Sequence, residues 1–180
     1  MPRLVIRSGA SFASAALLLA WTPLVVAAGC GQSAVVDPSR ASVVEVIDGD
    51  TVRLRFGPVV ETARLLGIDT PESVHPTVPE QCFGAEASAE LRRLLPPDTE
   101  VEVFRDVDGR DHYGRLLLHL RRADDGLEIN AHLVENGFAT AAFYEPNHHD
   151  RRRFLDAEQE ARSQGRGLWG TCDGPDQPLE

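Results

Sequence analysis

Apolar and polar positions alternate along the chain from Ser42 onward. Three β-branched and apolar runs, SVVEVI, DTVRLRF and VVETARLLGI, are separated by Asp-Gly and Gly-Pro. Asp-Gly is a strong short hairpin signal, and we expect it here because the turn requires positive φ. The pattern predicts three consecutive antiparallel strands.

The alternation changes to a helical spacing in GAEASAELRRLL, where Ala85, Ala89 and Leu91–Leu95 form the expected apolar face before Pro-Pro ends the helix. EVEVFRD and GRLLLHLRR then return to a strand pattern. Two more helices are predicted at about 128–137 and 150–164, each ending at a glycine. The order favours an α+β fold, a five-stranded OB-fold-type β-barrel with three α-helices, although periodicity alone leaves other α+β arrangements open.

The first 29 residues predict a signal peptide of the lipoprotein type. Arginines precede an apolar run that ends in small residues before Cys30, which would be lipid-modified. Ala27 replaces the usual leucine, so plain cleavage and an uncleaved anchor remain alternatives. We expect export, either as a cell-membrane lipoprotein facing the extracytoplasmic side or as a secreted protein, with residues 30–41 as a tether.

Cys82 and Cys172 remain as a pair once Cys30 is assigned to the anchor, and an exported protein favours a disulfide between them. The bond would close a loop of about 90 residues and stabilise the fold by about 4 kcal/mol; two unpaired cysteines are the alternative. The domain is predicted to span residues 42–172, and the acidic tail 173–180 is expected to be disordered.

The formal net charge of −10 argues against an indiscriminate polyanion binder, because such proteins need a large basic surface. Phosphate chemistry would therefore be local. Nothing in the pattern requires an oligomer, and we expect a monomer.

Charged side chains are concentrated in RLLGIDTPE, residues 64–72, and at the Asp-Gly hairpin. Asp48 is explained by the turn alone. Asp50 starts the second strand on its apolar face, and a buried carboxylate needs a partner. Strand pairing would bring it to one end of the barrel with Arg64, Asp69 and Glu72.

Oxygen ligands without a compact His/Cys cluster favour a hard cation, calcium before zinc. Asp50 and Asp69, a backbone carbonyl and waters would form such a site, and Glu72 could orient or deprotonate a water. Arg64 and Arg115 could grip phosphate oxygens and stabilise charge in a displacement. An ion-pair network at a barrel rim is the non-catalytic alternative.

Five motifs in order, VIDGDTVRL, RLLGIDTPE, FGAEAS, DHYGR and GLW, resemble the staphylococcal nuclease-like (thermonuclease) family over roughly residues 43–172. The resemblance implies a five-stranded barrel with three helices. It also implies a calcium-dependent nuclease that cleaves DNA and RNA to leave 3′-phosphate ends. By position, it implies calcium ligands at Asp50, Asp69 and the main-chain carbonyl of Thr70, and a water-positioning or water-activating role for Glu72.

The same resemblance implies that Arg64 and Arg115 clamp the scissile phosphate and that Tyr113 contacts the nucleotide. His112 stands where the family often has lysine, so binding could depend on pH.

The resemblance also implies a second nucleotide-contacting region, in which this chain retains Tyr144 but has Phe143 where another hydroxyl is expected; this would allow stacking and lose a hydrogen bond. Two alternatives to a nuclease remain open. One is a catalytically silent OB-type module that binds nucleic acid or another ligand at the cell surface, and the other is a calcium-stabilised structural domain.

Overall fold

A computed structural model of the protein describes residues 37–73, 79–172, 174–175 and 177–178. The predicted signal peptide, Cys30 and residues 30–36 of the tether lie outside the described residues. So does half of the predicted acidic tail. Among the described helices, none is long and apolar enough to cross a membrane.

The described chain forms seven strands and four helices. In chain order the strands are β1 (Arg40–Asp48), β2 (Thr51–Phe56), β3 (Val59–Leu65), β4 (Ile68–Asp69), β5 (Glu100–Phe104), β6 (Leu116–Arg122) and β7 (Thr140–Ala141). The helices are α1 (Gly84–Leu94), α2 (Ile129–Glu135), α3 (Arg151–Ser163) and α4 (Leu168–Thr171). The helix α4 and the two-residue strands β4 and β7 are additions to the predicted elements.

Five strands close into a barrel in the order β1-β2-β3-β6-β5. β3 and β6 pair in parallel, whereas the other four pairs of neighbouring barrel strands are antiparallel. Two register shifts in β1, between Val43 and Glu45 and between Val46 and Asp48, add the local bending that helps a sheet close. The predicted α+β barrel with three main helices is confirmed, and β1 begins at Arg40, before the predicted domain start.

Helix α1 begins and ends close to the predicted limits, and the predicted apolar face is confirmed at the leucines but was wrong at the two alanines. Ala85 and Ala89 are exposed, whereas Ala87 and Ser88 are buried together with Leu91 and the leucines that follow. The buried face is rotated toward Ser88 because its hydroxyl hydrogen-bonds the buried Asp48 carboxylate.

Asn130 in α2 connects the helix to the barrel. Its side-chain amide donates to the carbonyl oxygens of Leu66 at 2.9 Å and Leu118 at 3.2 Å, and its Oδ1 accepts from the backbone N–H of Leu120 at 3.0 Å. Asn130 is only 2% exposed, so these bonds satisfy a buried polar group. They fix α2 against β6 and against the turn that leads into β4.

The β1–β2 hairpin needs Gly49, but the expectation of positive φ was wrong. Gly49 is absent from the described residues with positive φ. A Cβ at this position would lie 2.6 Å from Thr70 Oγ1, a distance that real side chains do not tolerate. The glycine therefore allows the hairpin tip to approach the segment after β4, and this contact assembles the site.

The structure contains the Cys82–Cys172 disulfide, with the two Cα atoms 6.1 Å apart. It connects the residue two positions before α1 to the residue that follows α4. In the tail, the backbone N–H of Cys82 donates to the carbonyl oxygen of Gln177 at 2.7 Å.

Candidate functional site

A polar cavity of about 470 Å³ opens at the end of the barrel where the β1–β2 hairpin, the end of β3, β4 and the loop before β6 meet. Most of its lining side chains are charged or carry a hydroxyl. The lining residues are Ile47, Asp48, Asp50, Thr51, Arg64, Asp69, Thr70, Glu72, Tyr113 and Arg115. The cavity thus brings together all of the predicted catalytic, metal-binding and nucleotide-contacting residues except His112 and Tyr144.

The Asp50 carboxylate lies at the base of the cavity and is 6% exposed. Thr51 Oγ1 donates to its Oδ1 at 2.9 Å, while the backbone N–H and Oγ1 of Thr70 approach its Oδ2 at 3.3 and 3.2 Å. These hydrogen bonds, together with the contact from Arg64, satisfy the buried carboxylate.

Arg64 lies between two carboxylates. Its position in β3, opposite Thr51 in β2, directs the guanidinium at the hairpin tip. Nη1 contacts Asp50 Oδ2, and Nη2 donates to Asp69 Oδ1. The Arg64 side chain is 15% exposed and that of Asp69 is 42% exposed, so the bridge runs from the buried base of the cavity to its rim.

Short pairing of β4 with β7 positions Asp69. Asp69 lies opposite Thr140, whose Oγ1 donates to the Asp69 carbonyl oxygen at 3.2 Å. This sheet was not predicted, but it turns Asp69 toward Arg64, where the predicted cluster requires it.

The donor set at this end of the barrel is compatible with a hard cation. The Asp50 and Asp69 carboxylates converge closely enough for one guanidinium to touch both, and carboxylate oxygens are the ligands that calcium prefers. Within the described residues, no group of three or more His, Cys, Asp and Glu side chains is arranged to hold a metal. A cation here would therefore take its remaining ligands from main-chain carbonyls and water.

Arg115 enters the cavity from the loop before β6, and Asp111 holds it in place. Arg115 Nε donates to Asp111 Oδ2 at 2.6 Å, and the backbone N–H groups of Arg115 and Tyr113 donate to Oδ1 at 2.9 and 3.0 Å. Burial alone would raise the pKa of Asp111, but these hydrogen bonds and the Arg115 charge outweigh it and lower that pKa. The ionised Asp111 thus orders both the guanidinium and the turn.

Tyr113 lies at the mouth of the cavity and is 73% exposed. The Arg115 guanidinium carbon is 5.3 Å from the Tyr113 ring centroid, and the centroid of the His112 ring lies 3.7 Å from it. His112 therefore touches the site through Tyr113. An exposed aromatic ring beside an arginine is a suitable surface for a base and its phosphate.

Asp48 is a cavity residue that the sequence analysis assigned to the turn alone. It is 9% exposed, and its Oδ1 accepts hydrogen bonds from Ser73 and from Ser88 Oγ, the latter at 2.7 Å. Burial would raise the pKa of Asp48, but its side-chain hydrogen bonds with Ser73, Glu72 and Ser88 lower it. The polar Ser88 within the buried face of α1 is the signal that could have identified this network.

Tyr144 lies outside the cavity lining, on a segment after β7, and is 70% exposed. Its neighbour Phe143 packs against Phe154 of α3, with ring centroids 6.2 Å apart, and the Arg151 guanidinium carbon lies 5.5 Å from the Phe143 ring centroid. The structure thus assigns Phe143 a packing contact with α3 and leaves the Tyr144 ring accessible.

Comparison with known proteins gives consistent matches. Residues 62–171 match the family model described as staphylococcal nuclease homologue. The chain is 34% identical over 127 residues to the thermonuclease of Staphylococcus hyicus, covering 71% of this chain and 73% of that protein. It is 36% identical over 124 residues to the thermonuclease of Staphylococcus intermedius (69% and 72% covered) and 36% identical over 124 residues to endonuclease YncB of Bacillus subtilis (68% and 58% covered).

Proposed function

Because the chain belongs to the staphylococcal nuclease family, we propose that it is a calcium-dependent phosphodiesterase that hydrolyses DNA, RNA or both and leaves 3′-phosphate ends. One observation carries the proposal. A single cavity contains the converging Asp50 and Asp69 carboxylates, two further acids, and two arginines, one from a strand and one from a loop. An ion-pair network that served only stability would not need this set around an open cavity.

The arginines account for phosphate recognition in a protein whose net charge is −10. Arg115 is held through its Nε by Asp111, so this bond leaves its two terminal nitrogens for phosphate oxygens. Arg64 provides a second guanidinium at the cavity base. Together they bind the scissile phosphate and offset the charge that accumulates on its oxygens during displacement, while Tyr113 stacks on a nucleotide base.

Asp50 and Asp69 through their carboxylates, and Thr70 through its main-chain carbonyl, would hold Ca²⁺. The bound ion supplies Lewis-acid and template chemistry at the phosphate. Because Arg64 contacts both carboxylates, binding of a cation there would loosen at least one of those contacts. Arg64 would then be released toward the substrate phosphate.

Glu72 acts on the attacking water. Its carboxylate accepts a hydrogen bond from that water and takes its proton as the water oxygen forms a bond to phosphorus. The bond from phosphorus to the 5′-oxygen breaks, the 5′-oxygen takes a proton from solvent, and the phosphate stays on the 3′-oxygen of the other fragment. Glu72 then returns its proton to solvent. Glu72 lies beside Asp48 and forms a side-chain hydrogen bond with it, so the two carboxyl groups share this corner of the cavity.

Export forms part of the same proposal. Residues 1–29 would direct the chain across the membrane, Cys30 would carry the lipid anchor, and the protein would act as a monomer on the extracytoplasmic side. The Cys82–Cys172 disulfide supports an oxidising compartment. Replacement of Cys30 by alanine should release the protein from the membrane fraction, and equal membrane retention would contradict the anchor.

The function is tested by incubating the purified domain with single-stranded DNA and with RNA, in Ca²⁺ and in EDTA, and analysing the product ends. We expect fragments with 3′-phosphates in Ca²⁺ and intact substrate in EDTA. Cleavage that persists in EDTA would contradict the metal assignment. Binding of either nucleic acid without cleavage would favour the silent module.

A further inference from the structure

The backbone of Glu72 is held by Gln81, nine residues further along the chain. The N–H of Glu72 donates to Gln81 Oε1 at 2.7 Å, and the N–H of Gln81 donates to the Glu72 carbonyl oxygen at 2.8 Å. These two bonds satisfy both backbone groups of Glu72. They fix the point at which the chain leaves the cavity.

The beginning of α1 supports the same point. The N–H of Gly84 donates to the Gln81 carbonyl oxygen at 3.0 Å, and a Cβ at Gly84 would lie 2.5 Å from the Glu72 carbonyl oxygen. Only a residue without a side chain allows so close an approach. Gln81 therefore lies between Glu72 and the first residue of the helix, in contact with both.

Gln81 is itself anchored from the other side by the end of the chain. Cys82 forms the disulfide to Cys172 and donates its backbone N–H to the Gln177 carbonyl oxygen. Gln81 also forms an isolated antiparallel bridge with Pro178. The disulfide and the tail thus restrain the residue that holds Glu72.

We propose that Gln81 is a positioning residue for Glu72, and that the Cys82–Cys172 disulfide keeps Gln81 in the place from which it does so. The inference rests on the proposed function, because it gives Gln81 and the disulfide a role in presenting the Glu72 carboxylate to water. Misplacement of a reacting group by about 1 Å can cost about 10²-fold in rate. Loss of the two backbone bonds to Glu72 should therefore change turnover measurably.

The test compares Gln81→Met, which keeps the length of the side chain and removes the acceptor oxygen, with Gln81→Glu, which retains an oxygen at that position. Gln159→Met, at an exposed position of α3, is the matched control. With Ca²⁺ and a short single-stranded DNA, we expect Gln81→Met to lower kcat at least tenfold with KM changed less than twofold. Gln81→Glu should recover most of kcat, and Gln159→Met should match the wild type.

A second comparison separates positioning from a purely structural role. In a Glu72→Gln background, Gln81→Met should cause no further loss, because the group it positions is already disabled. An equal proportional loss in both backgrounds, or an unchanged kcat in Gln81→Met, would overturn the inference. The double variant Cys82→Ser/Cys172→Ser, assayed at a temperature where it is folded, should show the same fall in kcat at unchanged KM. An unchanged kcat would show that the disulfide does not help to position Gln81.

These outcomes are distinct from failure of the proposed function. A wild-type protein that does not cleave any nucleic acid in Ca²⁺ would overturn the function and the inference together. A wild-type protein that cleaves, with variants that follow the overturning pattern, would overturn the positioning role alone.

Discussion

At the scale of single residues, each of the two arginines in the cavity contacts specific carboxylates. Arg64 is shared by two carboxylates, and Arg115 is held by one carboxylate through its Nε. Among the described contacts of Arg115, the ion pair with Asp111 uses only that nitrogen, so the terminal nitrogens remain for a ligand. This arrangement makes Arg115 the residue whose loss should affect the reaction most and the fold least.

Replacement of Arg115 by alanine should lower kcat by about 10²–10³-fold, the usual cost of removing a group that stabilises transition-state charge. Arg53→Ala is the matched control, since Arg53 forms an exposed ion pair with Glu45 on the barrel wall. Steady-state cleavage rates measure both, and urea unfolding checks that each variant is folded. Equal activity of the two variants would contradict the assigned role of Arg115.

The individual acids were predictable to different degrees. Asp50 and Asp69 stood out because carboxylates next to apolar strand positions need partners, and the structure gives both of them Arg64. Asp48 was missed, since an Asp-Gly hairpin already explains an aspartate. Its partner Ser88 lies 40 residues further along the chain, so the one sequence signal for the contact was a polar residue within the apolar face of α1.

At the scale of elements, α2 and the turn into β4 are coupled by Asn130. The amide bonds the carbonyl oxygens of Leu66 and Leu118 and the N–H of Leu120, so one side chain joins a helix, a strand and a turn. Asp69 lies three residues after Leu66. The stability of this junction should therefore affect the position of Asp69 in the cavity.

Asn130→Ala should lower the free energy of unfolding by about 3 kcal/mol, because three buried backbone groups lose their partner. The matched control is Asn136→Ala, since the Asn136 amide donates to the His132 carbonyl oxygen at the partly exposed end of the same helix. Urea denaturation of both variants gives the comparison. A loss in Asn130→Ala no larger than that in the control would contradict the junction.

The main elements could be predicted because their periodicities extend over many residues, as in β2 and α3. The two-residue strands β4 and β7 could not, since Ile68–Asp69 and Thr140–Ala141 are too short to show alternation. The predicted face of α1 was right at its leucines and wrong at Ala85 and Ala89, because Ser88 turns inward to bond Asp48. The local sequence pattern predicts whether a segment is a helix or a strand more readily than which face of it is buried.

At the scale of the whole molecule, acidity should affect the fold through His119 in β6. Its ring packs against His149 and Phe154, both at 6.0 Å between centroids, and Asp150, Asp106 and Glu128 act on it from neighbouring segments. Burial lowers the pKa of His119 below its usual value, and the charge of His149 adds to this effect. The unfolded chain therefore takes up the proton at higher pH than the folded chain.

Neutral His119 thus contributes stability that is fully present above the unfolded pKa, about 6.5. That contribution is lost as the pH falls from this value through the depressed folded pKa. His119→Phe should reduce the loss of unfolding free energy between pH 7.5 and pH 5 by up to about 1 kcal/mol. His148→Phe, at an exposed position, is the control, and identical pH profiles of wild type and His119→Phe would contradict the assignment.

The most direct test of the central claim is the initial rate of single-stranded DNA cleavage as a function of Ca²⁺ concentration, for the wild type and for Asp69→Asn. The claim predicts a rate that is absent in EDTA and saturates with Ca²⁺, with half-saturation moved at least tenfold higher in Asp69→Asn because one charged ligand is lost. An undiminished rate in EDTA, or superimposable Ca²⁺ curves for the two proteins, would contradict a cation held between Asp50 and Asp69.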